Sequence, residues 1–388
     1  MRGAAETSFH NTAGRLRAGR KDTAQGKTGG RVQVVCRKFI SFAVTSGPMR
    51  PCTTKTHGTM EKYKIGIIGA GHIAIKMANT LNAMQDAEAY GIAARDIAKA
   101  EAFAAAHNVA KAYGSYEALA DDPDVDLIYI ATPHSLHYAH ARMCLERGKA
   151  VLCEKAFTAN AAEAAELIRL SEQRGVFLAE AIWTRYMPFS RTIAEIVGSG
   201  AIGTPNMLTA HLGYPVGTVP RILRPELGGG ALLDLGVYTL NFASMCFGAD
   251  IARIDSACTM SDTGVDLQDS ITLRYNDGRM AILQATALCA NDRHGAISGD
   301  RGYIVVDNIN NPLHATLYAP DHTAVRTYDA PAQITGFEYQ VQACIDAIRD
   351  GRVEPPCMPH AESLRIMRIM DGLRREWGVV FPNDDFRG

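Results

Sequence analysis

Apolar and polar positions along residues 62–182 alternate between two rhythms. Apolar runs of strand length occur at 63–68, 88–94, 126–131, 149–153 and 176–181. Between them, helical patterns fill 72–84, 97–107, 136–147 and 160–174. This alternation predicts a parallel sheet with helices on both faces and right-handed crossovers. The rhythm changes after Trp183. A helical pattern at 188–198 precedes a strand at 205–213, and Gly228-Gly229-Gly230 opens a helix over about 231–245. Strands then follow at 269–275, 279–288, 302–307 and 314–319 with no helices between them. Asn276-Asp277-Gly278 is a good hairpin turn between two of these. Helical patterns near 336–350 and 360–376 close the chain. The fold class is therefore α/β, with a second half that is α+β around an open, mainly antiparallel sheet.

Residues 64–74 read Lys-Ile-Gly-Ile-Ile-Gly-Ala-Gly-His-Ile-Ala, so an apolar strand runs straight into Gly69-x-Gly71-x-x-Ala74 and then into a helix. Gly69 allows the tight turn, Gly71 lets backbone approach a pyrophosphate, and Ala74 lets the helix pack on the strand. His72 and Ile73 open that helix, whose N-terminus offers free N–H groups and a positive dipole end to phosphates. With the strand before it and a second strand at 88–94, the glycine pattern reads as a dinucleotide-binding fingerprint, and residues 60–182 as a Rossmann domain. Residues 183–388 then form a second domain. The end of the second strand, Ile92-Ala93-Ala94-Arg95-Asp96, lacks the acid that NAD enzymes place against the ribose. Arg95 favours NADP over NAD. Asp96 is read as the cap of the next helix, or as the ribose partner if the cofactor is NAD.

Charge is unevenly spread. Residues 1–59 hold eleven Lys and Arg and two acids, so they carry +9 in a chain of net −1 and leave −10 for the remainder. An acidic body argues against nucleic acid as the main partner. No apolar run approaches the roughly 18–20 residues of a membrane span, so no membrane partner is expected. The basic segment reads as a transit peptide, a disordered basic arm, or sequence ahead of a true start at Met60; a non-structural tail with a Met60 start is favoured. The nine cysteines form no C-x-x-C pair and sit mostly in apolar segments, which fits a reducing compartment without disulfides. A cytoplasmic protein is expected, with organellar targeting by residues 1–59 left open.

The strand 149–153 ends in Cys153-Glu154-Lys155. Ligands of open parallel sheets bind beyond the carboxyl ends of the strands, so Glu154 and Lys155 point to the cofactor crevice. A lysine there supplies positive charge to a developing alkoxide; otherwise it is a surface ion pair. Asp234 and Tyr238 are four apart and share a helix face. They read either as chemistry or as a helix cap and a packing residue. His134, His137 and His140 lack a completing carboxylate or thiolate at ligand spacing, so no metal is expected.

Together, the glycine fingerprint, Ala131-Thr132-Pro133-His134-x-x-His137 and Glu154-Lys155 resemble the glucose–fructose oxidoreductase and inositol dehydrogenase (Gfo/Idh/MocA) superfamily over residues 63 to about 375. The family usually has Glu-Lys-Pro where this chain has Glu154-Lys155-Ala156. Glu180-Ala181-x-Trp183-Thr184-Arg185-x-x-Pro188 and Gly228-Gly229-Gly230-Ala231-Leu232-x-Asp234-x-Gly236-x-Tyr238 resemble the dimeric dihydrodiol dehydrogenase and NADP-dependent xylose dehydrogenase branch. The resemblance implies an NAD(P)-dependent oxidoreductase acting on a sugar or diol hydroxyl, with NADP preferred. Thr132, Pro133, His134 and His137 then wall the nicotinamide, with His140 an ordinary helix-surface histidine. Tyr238 is the proton acceptor in oxidation, and Lys155 lowers its pKa and stabilises the alkoxide. Asp234 orients Lys155 or substrate hydroxyls. Trp183 and Arg185 provide an aromatic wall and a donor fork for cofactor or substrate, with interdomain packing the alternative for both and nearly as strong for Trp183. The sheet of the second domain is implied to form a homodimer or higher oligomer. The competing readings are a dinucleotide-binding regulator without turnover and an NAD-dependent polyol dehydrogenase.

Overall fold

The computed structural model describes residues 62–384, so the reading of residues 1–59 lies outside the described part. Six parallel strands form the first sheet: β1 (Tyr63–Ile68), β2 (Ala87–Ala93), β3 (Lys111–Tyr113), β4 (Leu127–Ile130), β5 (Ala150–Glu154) and β6 (Leu178–Ala181). Their order is β3-β2-β1-β4-β5-β6, with the reversal between β1 and β4 that opens a crevice at the strands' carboxyl ends. Every residue of β4 is buried, as are the last four of β1, because helices cover both faces. Those helices are α1 (His72–Ala83), α2 (Ile97–His107), α3 (Tyr116–Asp121), α4 (His134–Glu146) and α5 (Ala161–Arg174). Local chemistry sets their starts. Asp96 caps α2 by accepting from Ala98 N at 3.0 Å, as its position predicts. Asn160 accepts from Glu163 N at 3.0 Å while Glu163 accepts from Ala159 N at 3.1 Å, a reciprocal cap on α5.

A short 3₁₀ turn, Trp183–Arg185, and α6 (Pro188–Gly198) lead to the second sheet. Its strands are β7 (Pro205–Gly213), β8 (Ile251–Met260), β9 (Asp266–Tyr275), β10 (Met280–Thr286), β11 (Gly295–Gly299), β12 (Gly302–Val306), β13 (His314–Tyr318) and β14 (Ala324–Asp329). The order is β14-β13-β12-β11-β7-β10-β9-β8, antiparallel except for the parallel β7–β10 pair. Burial alternates along β9 and β12, which marks a sheet with one covered face. A π-helical turn, Leu232–Gly236, runs directly into α7 (Val237–Phe247) and covers that face. The stretch Pro225–Phe247 is long and apolar enough to span a membrane, contrary to the expectation that no such run exists. Its apolar window is 83% buried inside the protein, so it is the core helix under the second sheet. α8 (Glu338–Arg349) and α9 (His360–Trp377) follow, and α9 packs on α5, α7 and β8. The described residues, 62–384, all belong to one compact unit.

Candidate active site

The dinucleotide crevice has the features its glycines require. Gly69 adopts φ +98°, and a Cβ there would lie 2.9 Å from the Ala131 carbonyl oxygen. A Cβ on Gly71 would meet nothing within 4 Å, so open space lies where a pyrophosphate would approach. No side chain caps α1, which leaves the N–H groups around His72 and Ile73 for an anion. Arg95 is exposed just beyond β2 and precedes the capping Asp96. The residues present therefore fit a dinucleotide with a 2′-phosphate.

At the end of β5 the Lys155 side chain turns away from the sheet. Its Nζ donates to the Asp234 main-chain oxygen at 2.8 Å and to Asp234 Oδ1 at 3.0 Å. The π turn delivers that carboxylate, a geometry often found at functional sites. Arg221 grips the same carboxylate from the other side, with bonds of 2.9 and 3.1 Å to its two oxygens. Burial alone would raise the Asp234 pKa; Lys155 and Arg221 outweigh it and hold the carboxyl well below its usual range. Asp234 is therefore a fixed anion. It is not the cap of the Gly-rich helix start, which is Asp266, accepting from Leu232 N at 2.6 Å.

Tyr238 lies one turn beyond Asp234, with Lys155 Nζ 5.1 Å above its ring. The Trp183 indole donates to its hydroxyl oxygen at 3.2 Å. The expectation that Lys155 lowers the Tyr238 pKa is not met. Burial pushes that pKa well above 10, and the neighbouring Glu154 pushes it further, while Lys155 is committed to Asp234. Glu154 is itself buried, bonded to the Tyr129 hydroxyl, and raised by burial to about 7.

His134 and His137 sit in the first turn of α4, which starts at His134, two residues before its pattern suggested. His134 Nδ1 donates to Gly228 O at 2.8 Å and ties the Gly-rich loop to α4. His137 stands between Ala156 O and Thr132 O, each at 2.8 Å. Burial pushes both imidazoles down, to about 3 and about 4, and at His137 the carbonyl contacts oppose that push. Thr132 and Pro133 form the turn ahead of them, with Pro133 capping α4. His140 is not a free surface residue: its ring packs on Tyr116 at 4.6 Å and its Nδ1 meets Thr132 Oγ1 at 3.1 Å. Among the described residues no group of three His, Cys, Asp or Glu is arranged to hold a metal.

The structure thus brings Lys155, Asp234, Tyr238 and Trp183 together. It does not bring Arg185 with them. The 3₁₀ turn sends Arg185 towards α9, where it pairs with Glu362 at 3.0 Å and also meets Asn241 and Ser244. Its guanidinium is turned into the interior, with Nη1 making all three of these bonds, which corrects its assignment to cofactor or substrate. Arg221 was not singled out from the sequence, because Val219-Pro220-Arg221 lies in a long loop without periodicity. Tyr214, also not singled out, lies within electrostatic reach of Tyr238, and its hydroxyl accepts from Arg293 at 3.1 Å and from Asn310 at 3.2 Å.

Comparison with known proteins agrees with this geometry. Residues 63–181 match the model of an oxidoreductase family with an NAD-binding Rossmann fold, and residues 190–305 match the GFO/IDH/MocA C-terminal domain. Trans-1,2-dihydrobenzene-1,2-diol dehydrogenase of Xenopus laevis is 37% identical over 335 residues, covering 82% of this chain and 99% of the relative. The enzyme of that name from Homo sapiens is 33% identical, covering 82% and 98%. A 3-ketoreductase from Actinomadura kijaniata, solved with NADP and TDP-benzene, superposes with a TM-score of 0.75 at 26% identity, covering 81% of this chain and 98% of that one. With a Rossmann half, a matched C-terminal half and relatives this similar along nearly their whole length, the chain belongs to the Gfo/Idh/MocA oxidoreductase family.

Proposed function

We propose that this chain is an NADP-dependent dehydrogenase acting on a CH–OH group of a diol or sugar, with Lys155 and Tyr238 handling the proton. The single observation that carries the reading is the arrangement of Lys155, Asp234 and Tyr238 at the carboxyl end of β5, beside the dinucleotide crevice. NADP, when bound, supplies the hydride acceptor. The residues supply position and charge. An ammonium has three donors, and Lys155 spends two on Asp234, so one remains for a substrate oxygen. Tyr238, with its raised pKa, rests as a phenol and gives its proton to an alkoxide as a carbonyl is reduced. In the oxidative direction it must first lose that proton. Asp234 and Arg221 hold Lys155 in place through both steps.

The diol and sugar classes come from the relatives. The dihydrodiol dehydrogenases share about a third of their residues with this chain, and the 3-ketoreductase was also solved with a lysine or a tyrosine replaced. In the same reading the enzyme is a cytoplasmic homodimer or larger homo-oligomer. The unpaired cysteines among the described residues support a reducing compartment. Met207, Met260, Leu313 and Val325, exposed on or beside the second sheet, support association through it.

The test is a parallel screen of NADP and NAD with aldoses and trans-dihydrodiols, following nicotinamide absorbance. Turnover with NADP on either class is expected. Tight NADP binding with no turnover on any member would overturn the reading and favour a dinucleotide-binding regulator.

A further inference from the structure

Lys76 stands one turn into α1, on the helix that opens at the dinucleotide crevice. Its side chain crosses to the aromatic wall, with Nζ 4.6 Å from the Trp183 ring centre and 4.2 Å from that of Phe337. The two rings pack on one another at 4.7 Å. The lysine is half-buried, yet among the described residues no oxygen accepts from its ammonium. Ring faces attract a cation, but they satisfy none of its three donors as an oxygen would.

Two carboxylates lie near enough to feel this charge, and both are engaged elsewhere. Glu338 accepts from the main-chain N–H groups of Ile334, Thr335 and Gly336 at 2.7, 3.0 and 2.7 Å, closing the turn ahead of α8. Glu154 is taken by the Tyr129 hydroxyl and by Lys155 N. Lys76 is thus a partly exposed cation that no described protein oxygen engages. The indole beneath it is the same one that donates to the Tyr238 hydroxyl at 3.2 Å, so the charge stands across one ring system from the proposed reacting group. A hydroxyl of a neutral sugar or diol can accept only an ordinary hydrogen bond from that ammonium, whereas an anion would also neutralise its charge through stronger, charge-assisted hydrogen bonds.

We propose that Lys76 binds an anionic substituent of the substrate, a carboxylate or a phosphate remote from the carbon that reacts, and so makes the enzyme prefer acidic sugars or diols over neutral ones. This rests on the reading of the pocket as a dehydrogenase site. Trp183 and Phe337 fix the ammonium and offer apolar faces to the carbon skeleton between the two ends.

The experiment compares kcat/KM, with NADP, for D-glucuronate, D-glucose 6-phosphate and D-glucose. Wild type should favour at least one of the two anions over D-glucose by about tenfold or more. Preference for glucuronate identifies a carboxylate site and preference for glucose 6-phosphate a phosphate site. Lys76→Gln should lower the anion-to-neutral ratio by about tenfold, and Lys76→Arg should keep most of it. Rising potassium chloride should raise KM for the preferred anion and leave that for D-glucose nearly unchanged, a readout that needs no variant. A wild-type ratio near one, or a ratio that Lys76→Gln leaves unmoved, overturns the inference while the dehydrogenase reading stands. Should none of the sugars turn over, calorimetric binding of the two anions to the NADP-saturated protein decides: tighter binding to wild type than to Lys76→Gln sustains the inference, equal binding or none ends it, and the dehydrogenase reading rests on the diols.

Discussion

Asp234 serves two cations at once, and the proposed catalytic geometry depends on that sharing. Lys155 is held from one side and Arg221 from the other, so removing Arg221 frees the carboxylate to turn and takes away one of the two charges that keep it ionised. A positive neighbour lowers a carboxyl pKa, so deleting it raises that pKa. Arg221→Met should therefore lower kcat/KM by about tenfold or more and move the acid limb of the pH–rate profile upward, while NADP affinity holds. Arg221→Lys should recover part of both. Tyr238 makes the sharper prediction. Tyr238→Phe should fold and bind NADP but lose about 10²–10⁴ in turnover. Because burial and Glu154 raise the Tyr238 pKa, wild-type oxidation should climb through the alkaline range, and carbonyl reduction should not need alkali. A plateau of the oxidation rate at neutral pH would refute that assignment. Of these residues Lys155, Asp234 and Tyr238 could be placed from the sequence by a strand end and a four-residue helical spacing, but their roles came from the resemblance, since position alone left an ion pair, a cap and a packing residue equally open. The direction of the Tyr238 shift was not, since desolvation depends on what the tertiary fold packs around the ring. Arg185 misled for a similar reason: its neighbour Trp183 faces the pocket, but the intervening 3₁₀ turn points the guanidinium the other way.

Among the elements, those whose period is imposed by burial on both faces were readable. β1, β2, β4 and β5 are such strands, and the glycine turn between β1 and α1 fixes the crevice. That turn also localises the cofactor prediction. Arg95 lies exposed beyond β2, where NAD enzymes carry an acid, so Arg95→Ala should weaken NADP binding about tenfold or more through loss of a phosphate contact. NAD binding, measured in the same titration, should change far less; an equal loss of both would sink the assignment. The second sheet was only partly readable. β8, Ile-Ala-Arg-Ile-Asp-Ser-Ala-Cys-Thr-Met, was missed because none of its residues is fully buried and Arg253, Asp255 and Ser256 break its apolar pattern. β14 is mostly exposed at the sheet edge, and β11 is bracketed by glycines that read as a loop. β3, three residues long, carries too little pattern to see. The parallel β7–β10 pair was likewise invisible, because strand partners so far apart in sequence are chosen by the fold.

At the scale of the molecule, the last described residues matter more than their place in the chain suggests. Asp384 accepts from Arg374 at 2.7 Å, and neither side chain is exposed to solvent. It also accepts from Phe381 N at 2.7 Å, and Asn160 reaches it from the start of α5 at 3.3 Å. Breaking one side of a buried ion pair leaves a charge without its counter-ion and typically costs about 3–5 kcal/mol. Asp384→Ala should therefore lower the melting temperature by several degrees. A melting temperature within a degree of wild type would show that Asp371, the other partner of Arg374 at 2.9 Å, suffices. The whole chain contains only two tryptophans. Trp377 is anchored at the far end of α9 by a 2.9 Å bond to Ser256, whereas Trp183 lies against Tyr238, Lys76 and Phe337. Whatever enters the pocket must change the polarity around one indole and leave the other as a constant background. The unlabelled enzyme therefore carries its own optical gauge of occupancy, and a Trp377→Phe variant would report, by emission alone, on the site and nothing else.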